Sequence, residues 1–202
     1  MKLLAVETSC YRASAAVFDG DACLAELVAE EGKKHAGTIL PLIERTLAAA
    51  GTALSEIGLF AVCVGPGSFT GVRIGVSAVN AMAYAAGRPV APVDALYALY
   101  EGAKPVSGRV CAVIDAGGGR AYAAVYADGE TLLPPSAVEL DAFLREHGEG
   151  VPVVGDAGCA EKQYPSARLV GMAALPLPGT ERAVPLYVRP SQAERARKKD
   201  EA

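Results

Sequence analysis

The chain has 202 residues, of which 51% are hydrophobic, so it is long enough to bury a full core without disulfides or metals. Its formal net charge of −4 argues against a protein that coats nucleic acid through general positive charge, although a local basic patch stays open. The five cysteines are dispersed without a CxxC pair, which fits buried thiols in a reducing cytosol better than a disulfide framework or a zinc site.

The N-terminal sequence MKLLAVETS has an apolar run too short for a signal peptide, and the run meets an acid at Glu7. No uninterrupted apolar stretch reaches the roughly 18 residues that a membrane-spanning helix needs. We therefore expect a soluble, cytoplasmic α/β protein.

The first hundred residues predict an antiparallel meander of three strands followed by alternating helices and strands. Asp19-Gly20-Asp21 is a turn signal between the second and third strands. Pro41 is compatible with the first helix only if that helix begins near Thr38, which leaves the proline in the first turn. The predicted elements are strands at 3–6, 13–18 and 22–29, a helix at 38–50, a strand at 59–64, a helix at 72–86, a strand at 89–92 and a helix at 95–101 capped by Asp94.

The pattern restarts after a subdomain boundary near Glu101–Ser107, which divides the chain into residues 1–103 and a smaller part, 104–202. The second part is richer in glycine and proline. It predicts strands at 109–114, 120–126 and 151–154 and a short helix at 141–146. The mixed charges of 191–202 are typical of a solvated helix or a frayed tail.

The segment GPGSFTGVRIG, from Gly65 to Gly75, places a strand, a glycine-rich turn and a helix N-terminus in succession. Free N–H groups and the positive end of the helix dipole at such a turn favour a phosphate. The spacing matches neither G-x-x-x-x-G-K-S/T nor G-x-G-x-x-G, so a phosphate loop and a tight turn without a ligand both stay open. The candidate phosphate-binding residues are Glu7, Gly65, Gly67, Ser68, Thr70 and Gly71.

Other reactive side chains give weaker signals. Glu7 ends the first strand, where α/β folds place ligands, but Thr8 and Ser9 are equally suited to a capping or turn role. Cys10 has no base nearby in sequence, which disfavours a nucleophilic thiol. Neither His35 nor His147 has an H-x-x-x-H partner, so neither indicates a metal site.

The helix at 72–86 consists almost wholly of small or apolar residues and therefore needs cover on all sides. One face can pack on the sheet, and the other can pack on the helix at 38–50 or on another chain. We favour a partner interface slightly over packing within the chain. The candidate interface residues are Ile39, Leu40, Ile43, Leu47, Val72, Val76, Val79 and Ala83.

The glycine-rich segment and the closing segment PLYVRPSQAER resemble the TsaB (YeaZ) family, as do ETS, HAGTILPLIERTL and AYAAGRPVAPVDAL. The resemblance implies an α/β fold of the actin-like, sugar-kinase and Hsp70-like (ASKHA) class, with two related subdomains of which the second is smaller. The family often has a charged DARR-like turn where this chain reads DAGGGRAY, which places any role of that charge in doubt.

The resemblance also implies a catalytic paralogue, TsaD. Chains of that kind carry ETSCDET at the first strand and a VNHLEAH-type segment whose two histidines bind a metal. This chain keeps ETSC but continues with Tyr11, and in the matching segment, 93–99, Ala95 and Leu99 replace the histidines. Alanine and leucine offer no lone pair to a metal, so we expect no catalytic residue and no metal site.

The resemblance therefore predicts a non-catalytic dimerization subunit that binds and activates TsaD. With the ATPase TsaE, the complex would transfer a threonylcarbamoyl group to the adenosine beside the tRNA anticodon. We expect a homodimer when TsaD is absent, no tightly bound cofactor, and ATP or ADP only in the complex. The stretch from Arg189 to Lys199 could help hold tRNA. The alternatives are a stand-alone actin-fold ATPase that uses Glu7 and the glycine loop, and, less favoured, a glycoprotease-like (M22-like) metalloprotease.

Overall fold

A computed structural model of the chain describes residues 1–30, 35–103 and 108–188. The first part of the chain forms a five-stranded sheet and three α-helices, with a short 3₁₀ helix at Leu54–Glu56. Its strands are β1 (Lys2–Glu7), β2 (Ser14–Asp19), β3 (Ala22–Val28), β4 (Ile57–Gly65) and β5 (Val90–Asp94). Its helices are α1 (His35–Ala49), α2 (Phe69–Ala86) and α3 (Ala95–Gly102).

The second part forms a four-stranded sheet and two further helices. Its strands are β6 (Arg109–Gly117), β7 (Arg120–Ala127), β8 (Glu130–Glu139) and β9 (Val153–Gly155), and its helices are α4 (Leu140–His147) and α5 (Ala167–Ala174). The strand orders are β3-β2-β1-β4-β5 and β8-β7-β6-β9. In each sheet an antiparallel meander has a parallel strand beside its first strand, β4 beside β1 and β9 beside β6. This shared order makes the two subdomains related.

Strand β1 is buried on both faces, which explains its unbroken apolar sequence. Leu3 and Ala5 belong to the core shared with α3 and α5, whereas Leu4 and Val6 belong to the core covered by α1 and α2. Alternation along one strand therefore fills two separate cores.

Helices α3 and α5 fill the space between the two sheets, since their apolar side chains share one core with residues of β6 and β7. Polar contacts join the subdomains at the same place. The Tyr126 hydroxyl lies 3.3 Å from Asp94 Oδ2, and the backbone N–H of Gly129 donates to the Tyr100 hydroxyl at 2.7 Å. Asp94 also accepts a hydrogen bond from the Leu96 N–H at 2.8 Å, which confirms its predicted role as the cap of α3.

Two helices begin earlier than their sequences predict. Helix α1 begins at His35 rather than near Thr38, so Pro41 lies inside it and not in its first turn. The proline is tolerated because both Pro41 and Gly37, whose carbonyl it cannot pair with, are exposed to water. Helix α2 begins at Phe69, three residues before the predicted start, because Ser68 caps it.

Three elements escape the sequence analysis: the 3₁₀ helix at Leu54–Glu56, β8 and α5. Helix α5 packs against β1, β2 and β4, so the chain returns to the first sheet after building the second. The predicted division into 1–103 and 104–202 assigns α5 to the second part, whereas the helix packs on the first sheet. The boundary residues 104–107 and the charged tail from 189 onward lie outside the described residues. Within the described part of the chain, none of the helices has the length and apolarity needed to cross a membrane.

Candidate functional site

Glu7 ends β1 and is fully buried, with an exposed fraction of 0%. Its Oε1 accepts hydrogen bonds from the Ser9 N–H, from the Ser9 hydroxyl at 2.7 Å and from the Cys10 N–H at 3.0 Å. Among the described residues, Oε2 has no hydrogen-bond partner. The carboxyl group thus closes the turn after β1 and points no oxygen into solvent.

Burial raises the pKa of Glu7 above its usual value, and hydrogen bonds from Cys63, Ser9 and Cys10 oppose that rise. The buried carboxyl is consequently stabilised in its neutral form. Burial and the nearby Glu7 also raise the pKa of the Cys10 thiol to about 12. A thiol of that pKa is almost fully protonated at neutral pH, which disfavours it as a nucleophile.

The glycine loop, residues 65–71, packs directly on the turn that Glu7 closes. The Ser68 N–H donates to the Ser9 carbonyl at 2.7 Å, and the Ser68 hydroxyl accepts from the Gly71 N–H at 3.2 Å. A Cβ atom at Gly67 would collide with the Ser9 carbonyl oxygen. Glycine is required here because two backbone segments come into contact.

Helix α2 is fastened to the same turn. The Thr8 hydroxyl donates to the Gly71 carbonyl at 2.7 Å, and a Cβ atom at Gly75 would collide with that hydroxyl. Two of the amides that a phosphate loop would offer, those of Ser68 and Gly71, are therefore already paired within the chain. These contacts favour the interpretation of the loop as a tight strand-to-helix turn.

A cleft of about 660 Å³ opens between the subdomains beside the glycine loop. The charged side chains that line it are two carboxylates, Asp115 and Asp156, and one ammonium, Lys162. The Asp156 carboxylate accepts a hydrogen bond from the Asp115 N–H at 2.7 Å. The rest of the lining is Ser9, Cys10, Tyr11, Pro66, Gly67, Ser68, Ile114, Ala116, Tyr122, Tyr164 and Pro165.

The six predicted phosphate-binding residues do not converge on this cleft. Only Gly67 and Ser68 line it, whereas Glu7, Gly65 and Gly71 are buried and Thr70 is exposed outside it. The sequence analysis missed the lining contributed by the second subdomain. Asp115 had a usable signal, since it directly follows the predicted strand at 109–114 and an acid there marks a sheet edge.

The segment that would hold metal-binding histidines is packed core in this chain. Ala95 and Leu99 are both 0% exposed and lie in the core between the sheets. Across residues 1–30, 35–103 and 108–188 there is no cluster of three or more His, Cys, Asp or Glu side chains that could hold a metal. His147 Nε2 lies 3.6 Å from a Glu146 carboxylate oxygen, and the side chain of His35 is outside the described set.

Seven of the eight predicted interface residues are buried within this chain. Leu40 is 57% exposed, but the other seven are buried in this chain's own core, beneath α1 and α2. Helical periodicity identified a true apolar face, but it could not tell whether that face covers the sheet or meets a partner. The seven buried residues are Ile39, Ile43, Leu47, Val72, Val76, Val79 and Ala83.

The opposite sides of α1 and α2 leave an apolar groove of about 540 Å³. We call it the helix groove. Tyr84, at 90% exposed, stands on α2 next to the groove-lining Ala85. The groove is lined by Leu40, Leu54, Ser55, Ala78, Ala81, Met82, Ala85 and Ala86. Because its lining is almost entirely apolar and open to solvent, it has the character of a protein-binding surface.

Comparison with known proteins shows the family to which the chain belongs. A family model described as "TsaD: tRNA N6-adenosine threonylcarbamoyltransferase" matches residues 24–178. The tRNA threonylcarbamoyladenosine biosynthesis protein TsaB of Escherichia coli K12 is 38% identical over 130 residues, covering 62% of this chain and 55% of the relative. The protein of the same name from Bacillus subtilis 168 is 30% identical over 146 residues, covering 72% and 64%. The alignments thus span between half and two thirds of these relatives.

The solved structure of YeaZ from Pseudomonas aeruginosa superposes on this chain with a TM-score of 0.72 at 29% identity, covering 92% of this chain and 99% of that one. With its two related sheets, the molecule is an α/β protein of the actin-like, sugar-kinase and Hsp70-type fold. The chain belongs to the family that the matching model describes and, within it, to the TsaB (YeaZ) group.

Proposed function

We propose that this chain acts in the biosynthesis of threonylcarbamoyladenosine in tRNA as a non-catalytic subunit that binds and activates a TsaD-type transferase. The names of its relatives support the pathway. The observation that carries the subunit role is the helix groove, an open apolar surface on a chain whose candidate reactive groups are buried or paired. In this proposal TsaE supplies the ATPase step, and tRNA is held by the complex.

The non-catalytic part of the proposal is supported by the packing at Ala95 and Leu99. Both side chains are enclosed between the sheets, so histidines at these positions would be surrounded by core residues rather than by a ligand-binding cavity. Burial likewise raises the pKa values of Cys10 and Glu7, which opposes ionisation of either group. In this proposal the chain keeps the fold of a catalytic relative but lacks the metal-binding histidines and has no accessible, ionised Glu7 or Cys10.

The nucleotide part of the proposal is that this chain alone binds ATP or ADP weakly. Tight binding of a polyphosphate needs free amides and compensating positive charge. Here the Ser68 and Gly71 amides are paired internally, and the cleft carries two carboxylates against one lysine. The stand-alone ATPase is the competing function, and it would require Glu7 to reach a phosphate or its metal ion.

The docking part is tested with a charged substitution in the helix groove. Ala81 lines the groove, is exposed and belongs to α2, so Ala81→Arg places a charge on the surface without disturbing the core. We expect the wild-type chain to form a homodimer alone and a heterodimer when mixed with the TsaD of the same organism. We expect Ala81→Arg to weaken both by at least about tenfold, since a buried unpaired charge costs more than about 1.4 kcal/mol. Light scattering after size exclusion reports both masses.

Ala142→Arg is the matched control, because Ala142 is an exposed alanine on a helix of the second subdomain, α4. It should associate as the wild type does. A charge at Val79 would be uninformative, since that side chain is 0% exposed and its substitution would test folding. Heterodimer formation by Ala81→Arg at wild-type affinity would contradict the proposed surface, and absence of any wild-type heterodimer would contradict the subunit role.

A further inference from the structure

The segment Thr180–Val188, the last part of the chain that the structure describes, has no role in the function described so far, yet four of its residues make specific contacts with the rest of the chain. Thr180 pairs with Val90 through two backbone hydrogen bonds of 2.7 and 2.8 Å. Farther along, the Leu186 N–H donates to the Val64 carbonyl at 2.8 Å. The segment therefore crosses from the edge strand β5 to the carboxyl end of β4, and we call it the strap.

The middle of the strap is fastened to α2 through a paired amide. Asn80 Nδ2 donates to the Ala183 carbonyl at 2.9 Å, and the Ala183 N–H donates to Asn80 Oδ1 at 2.9 Å. Ala183 itself is buried in the core beneath α1 and α2. Hydrogen bonds to Asn80 and the burial of Ala183 therefore fix the position of the strap on α2.

The far end of the strap is fastened to the first turn of α2. The Tyr187 ring packs on Phe69 with 4.7 Å between centroids, and Arg73 Nε donates to the Tyr187 hydroxyl at 2.8 Å. The Arg73 guanidinium lies 3.8 Å from the centroid of the Phe69 ring. A cation–π contact and a hydrogen bond therefore hold one exposed aromatic side chain in place.

The strap nevertheless presents apolar side chains to solvent, with Val184 at 63%, Tyr187 at 46% and Leu186 at 37% exposed. It lies on the flank of α2 opposite the helix groove, because Asn80 and the groove-lining Ala78 are two residues apart, about 200° around the helix. The exposed ridge of α2, which includes Ser77 and Tyr84, separates the strap from the helix groove. Groove, ridge and strap together make one outer face, which is apolar at the groove and the strap and carries the polar Thr70, Arg73 and Ser77 on the ridge.

Size argues that a partner uses this whole face. The helix groove is lined by eight residues, whereas a stable interface engages about 20–30 residues on each side. Side chains that are already fixed before binding also lose less conformational freedom on association. We infer that the outer side of the strap, centred on Val184 and Tyr187, is part of the docking surface for the TsaD-type subunit. This inference rests on the proposed function and extends its interface beyond α1 and α2.

The test compares two aspartates in the full-length chain. Val184→Asp charges the strap at a side chain that is 63% exposed, and Leu132→Asp charges β8 in the second subdomain at one that is 48% exposed. By titration calorimetry with TsaD, we expect Val184→Asp to raise the Kd at least about tenfold and Leu132→Asp to leave it within about twofold. Thermal unfolding midpoints equal to that of the wild-type chain would show that neither substitution affects folding.

Hydrogen exchange gives a second readout that needs no substitution. The backbone amides of Val184 and Tyr187 should exchange more slowly in the complex than in the free chain. Wild-type affinity of Val184→Asp, or unchanged exchange at these amides, would overturn the strap inference. If Ala81→Arg still abolished binding in that case, the proposed function would stand without the strap, whereas failure of the wild-type chain to bind TsaD would overturn both.

Discussion

Glu7 shows how a side chain with the appearance of a catalytic acid becomes a structural one. Its Oε1 collects three hydrogen bonds from the turn after β1, and no part of the residue reaches solvent. A carboxyl that must act on a phosphate or a metal needs an accessible oxygen and a charge. This one has no oxygen exposed to solvent, and burial raises its pKa, which opposes ionisation.

The raised pKa makes the stability of the chain depend on pH with a definite sign. The unfolded carboxyl ionises near its ordinary pKa of 4.5, while the folded one stays protonated to a higher pH. Stability is therefore fully present below the unfolded pKa and is lost as pH rises toward the folded pKa, by about 1.4 kcal/mol for each pH unit between the two. Glu7→Gln removes this loss, so its free energy of unfolding relative to wild type should increase as the pH of the urea titrations rises above the ordinary pKa of 4.5.

Glu130→Gln is the control, because Glu130 is an exposed carboxylate on β8. Its free energy of unfolding relative to wild type, measured over the same pH range, is the baseline for the Glu7→Gln difference. A Glu7→Gln variant that loses stability relative to wild type as pH rises would show that the fold lowers the pKa of Glu7 instead of raising it.

At the scale of elements, two helical glycines should respond to alanine in opposite directions. A Cβ at Gly75 of α2 would collide with the Thr8 hydroxyl, which is itself held by the Gly71 carbonyl, so Gly75→Ala should destabilise by about 1–3 kcal/mol. A Cβ at Gly37 of α1 meets nothing within 4 Å, so Gly37→Ala should stabilise by about 0.5–1 kcal/mol. Thermal and chemical denaturation report both values.

The opposite signs are what make this pair informative, since helix propensity alone favours alanine at both positions. A Gly75→Ala variant as stable as Gly37→Ala would mean that α2 does not press on the turn after β1. The interlocking of the glycine loop with the ETS turn would then be wrong.

Elements whose signal is local could be predicted from the sequence, and those decided by tertiary contacts could not. The meander, α2, β6 and the Asp94 cap follow from alternation, periodicity and turn residues. Strand β8 is largely exposed and contains Pro134 and Pro135, so it lacks a clear alternating pattern. The eight-residue helix α5 gives too few turns for a firm periodicity, and its place on the first sheet depends on long-range packing.

For the candidate site, the sequence likewise identified the motifs but not the contacts between them. The sequence brings ETS and the glycine loop to notice, and the structure joins them through the Ser9 carbonyl and the Thr8 hydroxyl. Whether such a contact serves a ligand or the fold depends on which amides remain free, and no spacing rule reports that. The helix groove was also hidden, because the buried face of α2 and the side of α2 that lines the groove are both apolar.

At the scale of the whole molecule, two related subdomains enclose a cleft while the open apolar face lies on the outer helices of the first. The cleft, where a catalytic relative would hold its active site, is therefore separate from the surface that we propose binds the TsaD-type subunit. The proposal therefore predicts that changes inside the chain leave function intact while changes on the docking surface remove it.

The most direct test is the rate of threonylcarbamoyl transfer to tRNA by purified TsaD and TsaE, measured without this chain, with the wild-type chain, and with Glu7→Gln or Ala81→Arg at equal concentration. We predict that the wild-type chain and Glu7→Gln raise the rate equally, and that Ala81→Arg raises it at least about tenfold less because it fails to dock. Loss of transfer with a folded Glu7→Gln chain, together with full transfer by Ala81→Arg, would contradict the account and assign the chemistry to this chain.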